Sequence, residues 1–233
     1  MVDKWVDFAQ ILLWPPRCIV CGGQGEDGRD LCAACWRELP FSSSVCQRCA
    51  EPLVGAGPCG RCLRSPPRFD HTFALFEYRD PVDLLIRRFK FDGQIHLARL
   101  LGEAMAEALP PGGERVDVVV PVPLHPWRLR QRGFNQALEL GRFVAAGVGL
   151  PLWPEVCQRR LATSPQTSKT ARQRRMNLRG AFKVIADVRG LRIALVDDVM
   201  TTGSTADALA KVLKQAGAAR VEVWVCARAG VLR

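Results

Sequence analysis

The chain has 233 residues, of which 48% are hydrophobic and 24% are charged. This composition supports one or two domains with a buried core and excludes a largely disordered chain. Every apolar stretch is shorter than the roughly 18 residues that a membrane-spanning helix needs. The N-terminal sequence, with early acidic residues and a short apolar run, does not match a secretory signal peptide. We therefore expect a cytoplasmic protein without membrane insertion.

The net charge of +10 is concentrated in one segment. Residues 1–70 contain eight basic and eight acidic residues, whereas residues 126–183 contain twelve basic residues and two acidic ones. That segment alone carries the whole excess of positive charge. Such clustering favours a polyanionic partner or substrate, and a solvated basic surface is the alternative.

The first 68 residues are rich in Cys, Gly and Pro, with a short amphipathic helix expected at 3–13. The sequence Ser65-Pro66-Pro67 predicts a linker, because two prolines stop both helix and strand. We therefore place a domain boundary near residue 68, between an N-terminal domain at 1–68 and a second domain at 69–233.

From residue 69 onward, predicted strands alternate with predicted helices. The strands are 71–78, 116–122, 191–196 and 221–227, and the helices are 81–89, 97–109, 135–148 and 204–216. The β-branched run DVVVPV is typical of a strand that is buried on both faces. This alternation predicts an α/β fold with a mostly parallel central sheet and right-handed crossovers.

Eight of the ten cysteines form four C-x-x-C pairs. They are Cys18, Cys21, Cys32, Cys35, Cys46, Cys49, Cys59 and Cys62. Each pair places two thiolates on one side of a tight turn, and two pairs complete a tetrahedral four-sulfur site that favours Zn²⁺. We expect two structural zinc ions without an open ligand position, which stabilise a part too small to hold a sufficient core.

The same cysteine pairs have other interpretations, namely disulfides, an iron–sulfur cluster or redox motifs. Disulfides are typical of secreted chains, and redox C-x-x-C motifs normally occur singly at a strand-to-helix junction. Pairs that are neighbours in sequence are expected to share a site, and an interleaved arrangement is the alternative. The isolated Cys157 and Cys226 are expected to be reduced core residues.

The segment LVDDVMTTGST ends a buried strand in two carboxylates, Asp197 and Asp198, and then opens through a short loop into a helix. The loop residues are Thr201, Thr202, Gly203, Ser204 and Thr205. A helix N-terminus with unpaired N–H groups suits a phosphate, and a glycine lets the backbone approach the anion closely. The carboxylates can accept hydrogen bonds from vicinal hydroxyls and can bear on Mg²⁺. The alternative is an ordinary helix cap formed by Ser204 or Thr205.

The segment VDDVMTTGST resembles the phosphoribosyl pyrophosphate (PRPP) signature of type I phosphoribosyltransferases. The resemblance implies that Asp197 and Asp198 hold the ribose 2′ and 3′ hydroxyls and that the loop from Thr201 to Thr205 holds the 5′-phosphate. It also implies that the second acid helps to stabilise positive charge at the anomeric carbon.

Further motifs narrow the resemblance to the ComF family, whose members join a double zinc ribbon to a type I phosphoribosyltransferase domain. PVPLH at 121–125 and RGFNQ at 132–136 look like family segments, LIRRFKFDG at 85–93 is similar to another, and 167–182 is similar to its mobile loop. The similarity covers essentially the whole chain. Phe91 and Met200 differ from residues that are common in the family.

The pyrophosphate of PRPP requires cations, and the resemblance implies several in this chain. Arg128, Arg130 and Arg132 follow the strand at 116–122, and Arg132 is the first candidate, since arginine binds phosphate oxygens bidentately. A surface charge on the following helix is the alternative for Arg132. Residues 164–175 read as a mobile cationic lid in which Lys169 and Arg172 are the leading contacts, with Lys169 also a candidate catalytic residue. Lys90 is a further candidate by family position, and a salt bridge at the sheet edge is its alternative.

Three functions follow from these observations. The first is a Mg²⁺-dependent phosphoribosyltransferase that moves ribose 5-phosphate from PRPP to a nitrogen nucleophile. The second, implied by the resemblance, is a competence accessory that binds single-stranded DNA through residues 126–183 and works with a competence helicase or recombination proteins during DNA uptake. Four aromatic residues lie among the basic residues and could stack bases, although such aromatics also form core or pocket walls. They are Phe89, Phe91, Trp127 and Phe134. The third is a PRPP sensor without catalysis.

Overall fold

The computed structural model describes residues 16–55, 57–109, 116–160 and 180–230. The helix expected at 3–13 and the cationic loop expected at 164–175, with Lys169 and Arg172, lie outside these ranges. Within the described ranges, no helix is long and apolar enough to cross a membrane.

The described helices are α1 (Ala33–Arg37), α2 (Gly60–Arg64), α3 (Val82–Phe91), α4 (Leu97–Ala108), α5 (Pro126–Arg132), α6 (Gln136–Val148) and α7 (Ser204–Gln215). The described strands are β1 (His71–Glu77), β2 (Val118–Pro121), β3 (Cys157–Arg159), β4 (Phe182–Val184), β5 (Arg192–Met200) and β6 (Arg220–Arg228).

Contacts divide the chain into two compact units, residues 1–40 and 41–233. The first unit contains a turn in which the Cys18 N–H donates to the Gly23 carbonyl, followed by α1. The second unit contains the last two C-x-x-C pairs together with all six strands. The proposed domain division near residue 68 stays a prediction. By its contacts, the segment with the last two C-x-x-C pairs belongs to the same unit as the sheet.

A four-stranded parallel sheet with the order β1-β6-β5-β2 forms the centre of the second unit. Its inner strands are buried on both faces, as the apolar runs predict. Helices α4 and α6 pack on each other and contact the sheet. Helix α7 packs with Ile193 and Leu195 in one core cluster, to which Ala137 of α6 also belongs. The predicted parallel α/β architecture is confirmed.

The second cysteine unit, defined here as residues 41–65, is part of the same core. Its cysteines are buried in one cluster with Phe69 and with Val223 and Val225 of β6. The Thr72 hydroxyl on β1 donates to the Arg48 carbonyl over 2.7 Å, and the Ser42 N–H donates to the Leu75 carbonyl over 2.9 Å. The cysteine unit is thereby fixed to the edge strand of the sheet.

Two features of the structure differ from the predicted elements. Strand β5 continues through Asp197 to Met200, where the prediction ends it at Val196, because pairing with β6 outweighs the low strand propensity of Asp. The antiparallel pair β3–β4 and the short helices α1, α2 and α5 have no counterpart in the predicted elements. Each is too short to show a periodic pattern of apolar residues.

Candidate functional site

The candidate site lies at the carboxyl edge of the sheet, where β5 and β2 end side by side. The two strands are parallel neighbours, with Pro121 opposite Val196. The loops that follow them therefore meet at one edge, which is where open α/β sheets bind ligands. The two segments that carry the predicted motifs therefore leave the sheet at the same edge.

The hydroxyl loop, defined as residues 201–205, joins β5 to α7. Gly203 occupies the N-cap position with a φ of 76°, a left-handed conformation that favours glycine. Neither Ser204 nor Thr205 is the N-cap, so the simple helix-cap alternative does not describe this turn. The Thr202 and Ser204 hydroxyls are 2.8 Å apart. The N-terminal N–H groups of α7 and these hydroxyls form a donor-rich turn that suits an anion.

Two adjacent carboxylates precede the loop. The Asp198 N–H donates to the Asp197 carboxylate over 2.9 Å, and the Val199 N–H donates to the Asp198 carboxylate over 2.6 Å. Burial and the neighbouring Asp198 raise the pKa of Asp197 to about 7, while Lys90 opposes this shift. Asp198 is buried and Asp197 is partly buried. A bound ligand with hydroxyl donors, or a cation, would reduce the repulsion between the two carboxylates.

Lys90 lies against this acidic pair. Its ammonium group is 2.9 Å from an Asp198 carboxylate oxygen. Helix α3 places it there because Leu85, Ile86 and Phe89 on the same helix are buried in the core. The structure thus combines both interpretations of Lys90, since the residue makes a salt bridge and does so inside the candidate site.

The arginine cluster is defined as Arg128, Arg132 and Arg159, and the charge of Asp197 acts on Arg159. Burial and the charge of Arg132 lower the pKa of Arg128. Burial and the charge of Arg128 lower the pKa of Arg159, while the Asp197 charge opposes this shift. Arg128 is thus close enough to Arg132 and to Arg159 for their charges to interact, and this concentration of positive charge suits a polyanion.

Local sequence explains how α5 presents its arginines. The His125 imidazole accepts from the Trp127 N–H over 3.2 Å, and Pro126 begins the helix with a preset φ. Gly133 ends the helix in a left-handed conformation. The next residues, Phe134 and Asn135, lead directly into α6, with Asn135 as its N-cap.

Arg132 is held from two sides. Its guanidinium donates to the Gln136 side-chain oxygen over 3.0 Å and lies 5.1 Å from the centre of the Phe91 ring. Gln136 is buried, and its side-chain nitrogen has no acceptor among the described residues. That nitrogen is a second polar group available near Arg132.

Sequence reasoning missed three residues here: Gln136, Arg159 and Arg228. Gln136 was visible as the end of RGFNQ but was not singled out as a contact. Arg159 lies on β3, a strand that the apolar pattern does not reveal. Arg228 ends β6 and is buried, and only the fold brings it to the start of the hydroxyl loop.

The eight paired cysteines form two four-sulfur groups, and neighbouring pairs share a group, as expected. One group is Cys18, Cys21, Cys32 and Cys35, and the other is Cys46, Cys49, Cys59 and Cys62, with the sulfurs of each within 4.8 Å of one another. The distances of 3.8 Å between Cys21 and Cys32 and 3.7 Å between Cys49 and Cys59 fit the ~3.8 Å expected for sulfurs around a tetrahedral Zn²⁺ at ~2.3 Å.

The cysteine chemistry also fits structural zinc. None of the ten cysteines forms a disulfide within the described ranges. Backbone N–H groups donate to the sulfurs, as from Cys59 to Cys46 over 3.1 Å, which favours thiolates. Burial raises the pKa of the isolated Cys157 to about 12, so that residue is a neutral core thiol at physiological pH.

The fold and the site together define a zinc-ribbon protein that carries an α/β domain with an acidic pair and a hydroxyl loop at the carboxyl edge of its sheet. The sequence matches the double zinc ribbon domain family over residues 9–63. It is 34% identical over 223 residues to competence protein F of Haemophilus influenzae, covering 91% of this chain and 97% of that protein.

Other relatives show the same extent of similarity. DNA utilization protein YhgH of Salmonella typhimurium is 35% identical over 204 residues, covering 85% of this chain and 90% of its own. Competence protein ComFC of Streptococcus pneumoniae is 31% identical over 203 residues, covering 86% and 82%. The chain belongs to the ComF family.

Solved structures with similar folds include phosphoribosyl enzymes. Glutamine PRPP amidotransferase from B. subtilis aligns with 55% of this chain and 25% of its own, at 20% identity and a TM-score of 0.38. A hypoxanthine phosphoribosyltransferase from Staphylococcus aureus aligns with 55% and 61%, at 9% identity and a TM-score of 0.36.

Proposed function

We propose that this protein binds PRPP at the carboxyl edge of its sheet and acts in the cytoplasm in competence-related handling of DNA. The observation that carries the proposal is the juxtaposition of an acidic pair, a hydroxyl loop at a helix N-terminus and an arginine cluster at one strand edge. A ribose that bears phosphates at both ends is the ligand that needs all three. The names of the relatives, competence and DNA utilization proteins, support the cellular role.

Each part of the site takes one part of the ligand. Asp197 and Asp198 accept hydrogen bonds from the ribose hydroxyls, and the hydroxyl loop with the α7 N-terminus binds the 5′-phosphate. Arg132, with Arg128 and Arg159 beside it, takes the pyrophosphate, because guanidinium groups bind phosphate oxygens bidentately. Lys90 pairs with Asp198. Lys169 and Arg172 remain proposed contacts from the segment that the structure does not describe.

Mg²⁺ fits the proposal through the chemistry of the donors. Carboxylates and phosphate oxygens are the ligands that Mg²⁺ prefers, and it usually binds through one or two carboxylates plus substrate phosphates. Asp197 and Asp198 are the residues that would hold it. When bound, the ion neutralises phosphate charge. Transfer of the ribosyl group to an acceptor is the catalytic extension of the proposal, with Asp198 placed to stabilise positive charge on the sugar.

Isothermal titration calorimetry with PRPP and Mg²⁺ tests the binding. The wild-type protein is expected to bind one PRPP, and the double variant Asp197→Asn/Asp198→Asn is expected to lose at least about 100-fold in affinity, since two charge-assisted contacts disappear. Asp187→Asn is the matched control, because Asp187 pairs with Arg189 on an exposed turn. Unchanged PRPP binding by the double variant would show that the site is elsewhere.

Single-stranded DNA binding is a second candidate function, favoured by exposed aromatic rings beside the arginine cluster. Trp127 is 50% exposed and Phe91 is 66% exposed. Aromatic platforms among cations are a recurrent way to bind single strands, and each stacked base contributes about 1–3 kcal/mol.

Titration with a fluorescent oligonucleotide tests this candidate. Trp127→Ala is expected to weaken binding by roughly 5- to 150-fold, whereas Trp153→Ala, which removes another half-exposed tryptophan outside the arginine cluster, is expected to leave it unchanged. Affinity should also fall steeply with salt. Equal losses for both tryptophan variants would count against a stacking platform at this site.

A further inference from the structure

A buried arginine joins the second cysteine unit to the hydroxyl loop. Arg228 is only 1% exposed. Its Nε donates to the Cys49 carbonyl over 2.8 Å, and its Nη1 donates to the Met200 carbonyl over 3.0 Å and to the Thr201 carbonyl. Its Nη2 forms an ion pair with the Glu51 carboxylate. One guanidinium therefore contacts both a segment that carries a sulfur ligand and the start of the hydroxyl loop.

Because the Arg228 guanidinium is buried, its stability depends on the groups that pair with it. A buried guanidinium is costly unless it is paired and hydrogen-bonded on all sides, and removal of one partner leaves an uncompensated charge. Two of its partners, Cys49 and Glu51, flank Ala50, which has a φ of 52°. A non-glycine residue keeps that conformation only when its surroundings fix it.

The four-sulfur group fixes those surroundings. Cys46 and Cys49 begin the turn that places the Cys49 carbonyl and the Glu51 carboxylate, and Arg61 on α2 donates to the Cys49 sulfur over 3.4 Å and lies 3.7 Å from Glu51. Without a shared cation, nothing draws the four sulfurs to a common centre. Metal bound at the second site would therefore hold the partners of Arg228 in place.

The hydroxyl loop faces the same unit across an open cleft. The cleft is lined by Cys49, Arg61 and Cys62 on one side and by Thr202, Gly203 and Ser204 on the other. The donors proposed for the 5′-phosphate thus lie opposite the metal-binding turn, and Arg228 anchors the backbone immediately before them.

We propose that Arg228 is a positioning residue that couples zinc in the second four-sulfur site to the PRPP site. Zinc bound by Cys46, Cys49, Cys59 and Cys62 would fix the turn that carries the Cys49 carbonyl and Glu51. These two groups hold the guanidinium, and the guanidinium holds the Met200 and Thr201 carbonyls, so that the loop presents its N–H groups to the phosphate. This inference rests on the proposed PRPP binding and adds a regulation to it: loss of zinc from this site loosens the loop. By thermodynamic linkage, PRPP must strengthen zinc binding at this site by the same factor by which zinc strengthens PRPP binding.

The test is an equilibrium competition for zinc with a chromogenic chelator, with and without PRPP and Mg²⁺, on the full chain. PRPP is expected to raise the zinc affinity of one of the two sites by at least about 5-fold. The Cys21→Ser variant lacks a ligand of the first site, and its remaining zinc is expected to be the one that responds. The double variant Asp197→Asn/Asp198→Asn controls for direct binding of zinc by PRPP, and its zinc affinity should not respond.

Variants of Arg228 and Glu51 test whether these residues carry the coupling. Arg228→Lys keeps the charge but cannot reach both carbonyls and Glu51, so it should bind two zinc ions and bind PRPP at least about 5-fold more weakly, with the linkage lost. Glu51→Gln removes the ion pair with Arg228 and should reduce the effect of PRPP on zinc affinity. Arg220→Lys is the matched control on the same strand, because Arg220 pairs with Glu222 away from the loop.

The outcomes separate this inference from the proposed function. If calorimetry shows no PRPP binding to the wild-type protein, the proposed function fails and the coupling fails with it. If PRPP binds but zinc affinity is the same with and without it, the coupling is wrong and the binding site stands. If the Arg228 and Glu51 variants fail to fold, the zinc affinity of the wild-type protein with and without PRPP still decides whether the two sites are coupled.

Discussion

At the scale of single residues, the acidic pair of the site lowers the free energy of unfolding. Asp197 and Asp198 are adjacent carboxylates on a strand whose other residues are apolar, and burial raises the pKa of Asp197 to about 7. The native state therefore holds a proton on Asp197 at pH values where the unfolded chain has lost it. Between pH about 4 and about 7 the native state binds more protons, so the Asp197 contribution to stability falls as the pH rises through this range.

Asp197→Asn should therefore stabilise the ligand-free protein at pH 8. The amide cannot ionise, so the cost of a buried charge beside Asp198 disappears, and a gain of at least about 1 kcal/mol is expected, shrinking to near zero at pH 4. Urea unfolding at several pH values measures it. A loss of stability at pH 8, with the same fold by circular dichroism, would show that Asp197 is stabilised by contacts instead of being a strained ligand group.

Gly203→Ala should destabilise the protein and weaken PRPP binding. An added Cβ would meet Met200 Sδ at an ordinary 3.5 Å, so the cost arises from the φ of 76° and is about 1–2 kcal/mol. Gly149→Ala is the matched control, since Gly149 ends α6 with a φ of 70° and open space around it. Both variants should lose similar stability in thermal unfolding. If Gly203→Ala bound PRPP as well as Gly149→Ala, the loop would not be the phosphate site.

At the scale of elements, the site depends on how α5 and α6 are tied to the end of β2. The Asn135 side chain accepts from the Ala137 N–H over 3.1 Å as the N-cap of α6, and its nitrogen donates to the Val122 carbonyl over 3.2 Å. One side chain thus fixes both the start of α6 and the chain that leaves β2. Arg132 lies in sequence between Val122 and the start of α6.

Asn135→Ala should lower the free energy of unfolding by about 1–2 kcal/mol, because the cap and the link to Val122 are both lost. Asn135→Asp keeps the acceptor for the Ala137 N–H and loses only the donor, so an intermediate value is expected. Chemical denaturation of the three proteins measures this order. If the Asp variant were as unstable as the Ala variant, the whole loss of stability would come from the hydrogen bond to the Val122 carbonyl, and the helix cap would contribute nothing.

The sequence predicts the elements that are long and periodic, and the motifs that are dense in chemistry. The buried runs of β2, β5 and β6 and the acidic pair with its loop are visible because each concentrates one residue class within a few positions. Arg159 and Arg228 are not visible in this way. Each is a single basic residue among many, and only strand pairing and packing bring it to the site.

At the scale of the whole molecule, the cysteine pairs are divided between two compact units. The first four-sulfur group belongs to residues 1–40, and the second belongs to the unit that contains the sheet. Cys46, Cys49, Cys59 and Cys62 share one buried cluster with β6. The second group is therefore part of the core of the α/β domain, although in sequence both groups look like one N-terminal ribbon.

Loss of the second metal site should unfold more of the protein than loss of the first. Cys46→Ser is expected to lose one zinc and to destabilise the α/β domain by on the order of 4 kcal/mol, since a buried metal ligand is removed. Cys21→Ser is expected to lose one zinc with little change in the unfolding of that domain. Metal analysis and hydrogen exchange of the sheet amides compare the two. Equal effects on the sheet would contradict this division.

The central claim is that the carboxyl edge of the sheet binds a phosphorylated ribose. A crystal structure of the protein with PRPP and Mg²⁺ tests it most directly. The account predicts the ribose hydroxyls on Asp197 and Asp198, the 5′-phosphate on the N–H groups of residues 202–205 and the pyrophosphate beside Arg132. Density for PRPP at any other surface, with Asp198 still paired to Lys90 and the hydroxyl loop empty, would contradict it.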